Sequence, residues 1–181
     1  MVTSTLNLKV HLPPTESFQP LSYEGGRTIT WKPRTATRRV ILHDSHTEPE
    51  VENAEDYLRF HGRKMGLLDV GYHYLIERSG ARVVCRPVRL IGSHTPGHNM
   101  DRIGICLIGG MSPTGPVDNF TYQQKIGLAE LWCSIEVLYP DIPLVGHSEV
   151  QRFVDRRACP AIDMDDLRRD LAFFKSTGVM P

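Results

Sequence analysis

The sequence predicts an α/β fold, a single domain with a central mixed β-sheet flanked by helices. Short apolar runs typical of buried strands alternate along the chain with longer segments that have the 3.6-residue periodicity of amphipathic helices. Two strand-like segments, residues 70–77 and 82–88, are joined by Ser79-Gly80-Ala81 and predict a hairpin, because glycine adopts the positive φ of a tight turn. The length of 181 residues suits one compact domain with its own core.

The first 26 residues differ in pattern from the rest of the chain. We treat residues 1–26 as an N-terminal leader and expect the main domain over residues 27–181. Residues 5–12 alternate polar and apolar side chains like a strand, and prolines and glycines between positions 13 and 26 interrupt the pattern. This composition fits an added edge strand, a partner-binding arm or a mobile tail equally well.

In the first half of the main domain, residues 39–43 form a short apolar run that predicts a strand. Thr47 and Glu50 have the spacing of a capping box, in which both side chains satisfy free backbone N–H groups at the start of a helix. We expect this helix to end at Gly66. Its apolar stripe is expected at Val51, Ala54, Leu58, His61 and Met65.

In the second half, residues 103–108 are almost continuously apolar, as expected of a central strand that is buried on both faces. Thr121 and Gln124 predict the capped start of a long helix, residues 144–147 predict another short strand, and Asp163 predicts the start of a last helix. The core-facing residues of the two helices are expected to be Leu128, Leu131, Trp132, Ile135, Leu138, Leu167, Leu171 and Phe174.

The charge balance argues against nucleic acid or an anionic membrane as a partner, since 21 Lys and Arg face 21 Asp and Glu. No apolar stretch is long enough to span a bilayer, and the first residues lack the pattern of a secretory signal. We therefore expect no membrane anchor. The four cysteines have no CxxC spacing, and Cys85, Cys106 and Cys133 lie in apolar surroundings, so we interpret them as small buried hydrophobes of a reduced protein.

Three scattered residues are candidate metal ligands. His43 and His147 each end an apolar run, and Cys159 lies in a short turn before Pro160. Two imidazoles and one thiolate suit Zn²⁺, and three protein ligands leave a fourth position open for water, which indicates a hydrolytic rather than a structural site. On spacing alone, either His61 or His73 could replace one member of this set.

Several segments carry a family resemblance. Residues 68–74 read LDVGYHY, residues 91–94 read IGSH, residues 103–110 read IGICLIGG and residues 158–160 read ACP. In this order they resemble zinc-dependent N-acetylmuramoyl-L-alanine amidases, the family of the T-odd coliphage lysozymes and the peptidoglycan recognition proteins. The resemblance runs from about Ile29 to the last helix.

The resemblance implies a reaction and a site. The family's enzymes cleave the amide between the lactyl group of N-acetylmuramic acid and the L-alanine of the stem peptide. By the resemblance, His43, His147 and Cys159 fall on the zinc ligands and Tyr72 on the catalytic tyrosine. A zinc ion would polarise the carbonyl, and the Tyr72 hydroxyl would position the water or stabilise the oxyanion. Without the family motif, Tyr72 would be interpreted as a core aromatic.

One departure concerns the residue two positions before the cysteine ligand. The coliphage pattern has a lysine there, whereas this chain has Arg157, preceded by Arg156. Arginine stabilises an oxyanion but does not shuttle a proton, because its pKa stays above about 12. We expect an electrostatic role for Arg157, with Arg156 or an exposed arginine pair as alternatives. His94 and Asn99 share a loop and are expected to line the groove for glycan or peptide.

The expected function is that of a phage-type endolysin, made in the host cytoplasm and released to the cell wall at lysis, with peptidoglycan as substrate and Zn²⁺ as cofactor. The first alternative is a peptidoglycan-binding protein without turnover, although such relatives tend to lack a zinc ligand. The second is an amidase that also inhibits a phage RNA polymerase, as the resemblance suggests. No feature of the sequence indicates such a contact, and we expect a monomer.

Overall fold

The computed structural model describes residues 32–57, 70–151 and 158–181. The strands are β1 (Arg39–Asp44), β2 (Tyr74–Ile76), β3 (Arg82–Val84), β4 (Arg102–Leu107), β5 (Met111–Ser112), β6 (Gly115–Pro116) and β7 (Leu144–Gly146), and the helices are α1 (Tyr122–Leu138), α2 (His147–Val150) and α3 (Met164–Thr177). Five strands form a mixed sheet with the order β3-β2-β4-β1-β7, and β5 and β6 form a separate two-stranded ribbon. This confirms the predicted fold class.

The sheet is parallel at its centre. Strand β1 pairs in parallel with β4 on one side and β7 on the other, and β2 continues the parallel set beside β4. Only β3, the far strand of the predicted hairpin, runs antiparallel. Because β1 and β7 are parallel neighbours, the residues that follow both strands emerge at the same edge of the sheet.

The two faces of the sheet have different cores, because side chains alternate along each strand. On one face, Val40 and Leu42 of β1 pack against α1 and α3 in the larger hydrophobic cluster. On the other face, Cys106 of β4 belongs to a smaller cluster with Tyr57 and Leu75. His43 follows Leu42 in β1 and therefore lies on the face that the two long helices do not cover.

Both long helices begin at the predicted caps. Thr121 and Gln124 form the capping box of α1, and the Asp163 carboxylate accepts the backbone N–H groups of Asp165 and Asp166 at the start of α3. Helix α3 ends at Gly178, whose φ of +76° is the left-handed conformation that glycine adopts without a steric penalty. Among the core residues predicted for these two helices, Leu138 alone is exposed, at 44%, because Ile135 is the last buried residue of α1.

The predicted capping box at Thr47 and Glu50 is wrong. Thr47 forms an isolated bridge to Gly110, and its hydroxyl bonds Ser45, so its side chain serves the loop after β1. Helical conformation is present at residues 54–57, and the Asn53 side chain accepts the N–H of Asp56. The later positions of this predicted helix, Leu58, His61, Met65 and Gly66, lie outside the described residues, as do the leader and residues 152–157.

Two further expectations need correction. The hairpin strands are shorter than predicted, at three residues each, although Gly80 has the expected positive φ of +87°. Cys106 is buried, but Cys85 and Cys133 are only half-buried. Among the described helices, none has the length and apolar character needed to cross a membrane.

Candidate metal centre

The structure brings the three predicted ligands together at one edge of the sheet. His43 is the next-to-last residue of β1, and His147 follows β7, the parallel neighbour of β1. Cys159 lies in the turn before α3, where its peptide bond to Pro160 is cis. One donor atom from each residue lies within 4.8 Å of the others. His147 opens the short helix α2 rather than ending a strand, which corrects the sequence-based expectation.

The donor set fits a tetrahedral metal ion. In a zinc site with Zn–N near 2.0–2.1 Å and Zn–S near 2.3 Å, the donors stand roughly 3.3–3.6 Å apart. The Cys159 Sγ lies 3.9 Å from Nδ1 of His43, so a shift of a few tenths of an ångström would close this pair around an ion. All three side chains are buried. Two nitrogens and a sulfur are the donors that zinc prefers.

The electrostatics of the buried ligands also suit a cation. Burial lowers the pKa of His43 well below its usual value, and the neighbouring His94 and His147 lower it further. Burial likewise lowers the pKa of His147. Both imidazoles are therefore neutral, as ligands must be. Burial, followed by the nearby Asp44, raises the pKa of the Cys159 thiol to about 12, so thiolate formation depends on a bound cation and metal binding would release a proton.

A buried carboxylate ties the strand ligand to the cysteine turn. The Asp44 Oδ2 atom accepts the backbone N–H of Ala161 at 2.6 Å, and its Oδ1 atom is paired with Nδ1 of His46. Gly110 makes room for this carboxyl group, since a Cβ there would lie 2.6 Å from the Asp44 Cγ atom. Asp44 therefore fixes the distance between β1 and the turn that carries Cys159.

Helix α2 is held against the same turn. The backbone N–H of Ser148 donates to the Cys159 carbonyl at 2.9 Å. The Glu149 carboxylate accepts the N–H of Gly146 and pairs with Arg168 of α3, and this hydrogen bond lowers the pKa of Glu149. Hydrogen bonds of the protein therefore hold helix α2, which carries His147, against the turn that carries Cys159, without any contribution from a metal.

Tyr72, the predicted catalytic tyrosine, lies beside the candidate metal ligands. Its ring centroid is 5.0 Å from that of His43 and 6.4 Å from that of Tyr57. Burial, followed by the nearby Cys106, raises the Tyr72 pKa well above its usual value. The phenol therefore stays protonated and retains its hydrogen as a donor.

Of the two predicted substrate-binding residues, His94 lies next to His43, and Asn99 supports the backbone at His94. His94 is 8% exposed, and its Nδ1 atom is 3.0 Å from Nε2 of His43. The side-chain oxygen of Asn99 accepts the backbone N–H groups of both His94 and Thr95. Burial, and then the neighbouring His73, lower the pKa of His94 to about 2, so its ring is neutral.

The competing ligand His73 has a different role. Its Nε2 atom lies 2.9 Å from the Leu90 carbonyl, and its Nδ1 atom accepts the N–H of Gly104, so both ring nitrogens are bonded to backbone. Burial lowers its pKa to about 3. His73 is a satisfied core histidine. The other alternative, His61, and the predicted Arg157 with Arg156 lie outside the described residues.

Sequence reasoning did not find the contact between His94 and His43. The sequence contains only an indirect sign of this contact, namely the glycines at positions 92 and 104. In the structure, both lie against the His94 ring and leave room for it. A glycine in the middle of an apolar strand indicates a close approach by another group, but it does not identify that group.

Comparison with known proteins gives an independent line of evidence. The family model for N-acetylmuramoyl-L-alanine amidase matches residues 33–162. The endolysins of Enterobacteria phage T3 and Escherichia phage T7 are each 34% identical over 137 residues, which is 75% of this chain and 88% of each relative. The solved structure of the N-acetylmuramoyl-L-alanine amidase LysC from Clostridium intestinale URNW has the same fold, with a TM-score of 0.64 and 20% identity over 80% of this chain and 91% of that one.

The matched range contains His43, His147 and Cys159, which meet at the edge of the sheet, and Tyr72, whose ring lies beside His43. The chain therefore belongs to the N-acetylmuramoyl-L-alanine amidase family and is an enzyme that hydrolyses peptidoglycan.

Proposed function

We propose that this amidase is a zinc-dependent endolysin that cleaves the bond between N-acetylmuramic acid and the L-alanine of the stem peptide. The single observation that carries the zinc assignment is the convergence of His43, His147 and Cys159, whose donor atoms lie within 4.8 Å of one another. The similarity to two phage endolysins over most of their length supports the biological role.

A zinc ion held by these three residues would polarise the scissile carbonyl and lower the pKa of a water molecule to about 7. The chain's own contribution is to keep both imidazoles neutral and to exclude bulk water from the donors, all of which are buried. Asp44 and Ser148 hold the turn that carries Cys159 close to His43 and His147 in the absence of a metal.

Tyr72 is the proposed catalytic residue. Its hydroxyl stays protonated and its ring centroid lies 5.0 Å from that of His43, which supports a role as a donor to the oxygen that becomes negative during hydrolysis. Loss of one such donor costs roughly 100- to 1,000-fold in rate in enzymes of this general type.

Arg157 stays a prediction as an electrostatic stabiliser of the same oxygen. Asn99 also stays a prediction as a substrate contact, but its Oδ1 atom is already engaged by two backbone N–H groups. Synthesis in the host cytoplasm with release at lysis is part of this proposal, and the similarity to phage endolysins supports it. A contact with a phage RNA polymerase stays a prediction, which a pull-down with the polymerase tests. A monomeric state also stays a prediction, which analytical ultracentrifugation tests.

The bond assignment is tested by mass spectrometry of purified peptidoglycan after digestion. Free stem peptides that begin with L-alanine, beside intact glycan strands, are the expected products. New reducing sugar ends, or peptides cut within the stem, would contradict the assignment. A binding protein without turnover would release neither kind of product.

The metal assignment is tested by changing each ligand to Ala and measuring zinc by atomic absorption and lysis of permeabilised cells. We expect His43→Ala, His147→Ala and Cys159→Ala to lose zinc and lysis together, while Cys133→Ala, a half-buried cysteine on α1, retains both. A chelator should abolish lysis by the native protein. Full zinc occupancy in one of the three variants would remove that residue from the site.

A further inference from the structure

The two ring nitrogens of His43 face different groups, one the candidate metal ligand Cys159 and the other the buried side chain of His94. The Nδ1 atom of His43 faces the Cys159 sulfur at 3.9 Å, whereas its Nε2 atom faces Nδ1 of His94 at 3.0 Å. A nitrogen that binds a metal carries no hydrogen, so the hydrogen of His43 must be on Nε2, and the geometry makes His94 its acceptor.

We propose that His94 is a positioning residue for the metal site, which accepts the Nε2–H of His43 and thereby fixes the ring orientation and the tautomer that direct His43 Nδ1 at the metal. This inference rests on the proposed zinc function. It assigns His94 to the support of a ligand, in place of the predicted contact with substrate.

The backbone around His94 is shaped to hold this ring. A Cβ at Gly92 or at Gly104 would lie 2.5 Å from the His94 Cδ2 atom, so the imidazole occupies the space that side chains at both positions would fill. Gly104 belongs to β4, which pairs directly with β1, the strand of His43. The pairing of these two strands therefore sets the distance between the two rings.

The loop after Gly92 fixes His94 from the other side. Asn99 accepts the N–H groups of His94 and Thr95 at 3.0 and 2.9 Å. The Thr95 hydroxyl lies 3.0 Å from His94 Nδ1 and 3.5 Å from His43 Nε2, within reach of the same hydrogen bond. These contacts orient Nδ1 of His94 toward His43 before any metal binds.

The environment of the other ring nitrogen of His94, Nε2, indicates that this histidine is not present for packing alone. Its Nε2 atom is buried and forms no hydrogen bond of regular geometry within the part of the chain that the structure describes, although the Arg102 backbone is near enough to the ring to raise its pKa. A buried, poorly paired N–H lowers stability, so a histidine is a poor choice for packing alone. The acceptor role of its Nδ1 atom toward His43 explains why a histidine occupies position 94.

The choice of an imidazole over a carboxylate as acceptor also has a chemical consequence. A carboxylate that accepts from a metal-bound histidine raises the basicity of that ligand and so reduces the Lewis acidity of the metal. The Cys159 thiolate already donates one negative charge. A neutral acceptor behind His43 orients the ring without adding to that donation.

The test compares three substitutions at position 94 with His98→Ala, a change in the same loop as the control. His94→Asn keeps an acceptor near the position of Nδ1, whereas His94→Ala removes it and His94→Gln displaces it by one methylene. For each protein, the zinc dissociation constant is measured by competition with a chromogenic chelator, and the Co²⁺-substituted form is examined by absorption spectroscopy. Circular dichroism establishes that each variant is folded, and kcat and KM are measured on a soluble muropeptide.

We expect His94→Ala and His94→Gln to bind zinc about 10- to 100-fold more weakly and to change the cobalt spectrum, because outer contacts of metal-bound histidines have effects of this size. His94→Asn and His98→Ala should stay within a few-fold of the native value. If His94→Ala does not fold, the Asn and Gln variants still decide the question, because both carry an amide and differ in where it lies.

Native zinc affinity and an unchanged cobalt spectrum in the Gln or Ala variant would overturn the inference. A raised KM at unchanged zinc affinity would overturn it as well, in favour of a substrate contact. In both cases the proposed function would stand, because native protein would still hold one zinc ion per chain. Native protein without stoichiometric zinc would overturn the proposed function and this inference together.

Discussion

The roles of the histidines in this site depend on their surroundings as much as on their residue type. His43, His73 and His94 are all neutral near pH 7 because burial lowers their pKa, yet they have different roles. His73 bonds two backbone groups, His43 faces a sulfur, and His94 faces His43. The partners of each ring nitrogen, rather than the residue type, distinguish a ligand from a core histidine.

Tyr72→Phe should retain native zinc content and thermal stability while losing roughly 100-fold or more of the lytic rate, because it removes one donor to the developing oxyanion. Turbidity loss of permeabilised cells and atomic absorption are the measurements. Tyr74→Phe is the matched control, since Tyr74 is a half-buried residue of β2 that packs against the larger core. A native rate in Tyr72→Phe would exclude the proposed catalytic role.

Arg157 is tested by two substitutions that separate charge from shape. If a positive charge near the oxyanion is sufficient, Arg157→Lys should keep most of the lytic rate and Arg157→Ala should lose about tenfold or more. Arg156→Ala serves as the comparison for the neighbouring charge. Native activity in Arg157→Ala would assign this residue to an exposed arginine pair.

At the level of elements, Gln124 links helix α1 to the sheet. It is fully buried, and its Nε2 atom donates to the carbonyls of Ile76, the last residue of β2, and Ile108, the residue that follows β4. Its Oε1 atom accepts the N–H of Thr121 in the capping box. One side chain therefore closes the helix end and satisfies two strand ends.

Gln124→Leu should lower the free energy of unfolding by about 2–4 kcal/mol, because it removes three hydrogen bonds and leaves the Ile108 carbonyl and the Thr121 N–H without their side-chain partner, while the Ile76 carbonyl keeps only the N–H of Ile108. Urea unfolding followed by circular dichroism measures the change. The exposed neighbour provides the control, as Gln123→Leu should change stability by no more than about 0.5 kcal/mol. A loss below about 1 kcal/mol in Gln124→Leu would show that water replaces these bonds.

At the level of the whole molecule, the buried neutral histidines make stability depend on pH. His73 and His94 have an ordinary pKa of 6.5, which the fold lowers to about 3 and about 2. Between these values and 6.5, the unfolded chain binds more protons than the folded one. The free energy of unfolding therefore rises with pH and falls on acidification below 6.5.

We expect each of these histidines to contribute about 1.4 kcal/mol per pH unit to this slope in the metal-free protein. Urea unfolding at pH 5.0, 5.5 and 6.0 in the presence of a chelator measures it. The His94→Asn variant lacks one titrating group and should show a slope flatter by about that amount. Parallel curves for the two proteins would indicate that His94 titrates normally in the folded state.

Much of this architecture was predictable from local patterns. The apolar run before His43, the caps at Thr121 and Asp163, and the glycine turn at Gly80 are each determined by neighbouring residues, and the structure confirms them. The capping box at Thr47 failed because a bridge to Gly110, distant in sequence, engages that residue instead. The same limit applies to Leu138, whose exposure depends on where the helix leaves the core.

The sequence by itself determined which atoms were available, namely two imidazoles, one thiolate and a phenol in segments typical of an amidase. Only the tertiary structure decided how they are used: that β1 and β7 are parallel neighbours, that the Asp44 carboxylate reaches the turn of Cys159, and that His94 lies behind His43. The physical reason is that donor identity is a property of single residues, whereas distances between donors depend on strand order and packing across the sheet.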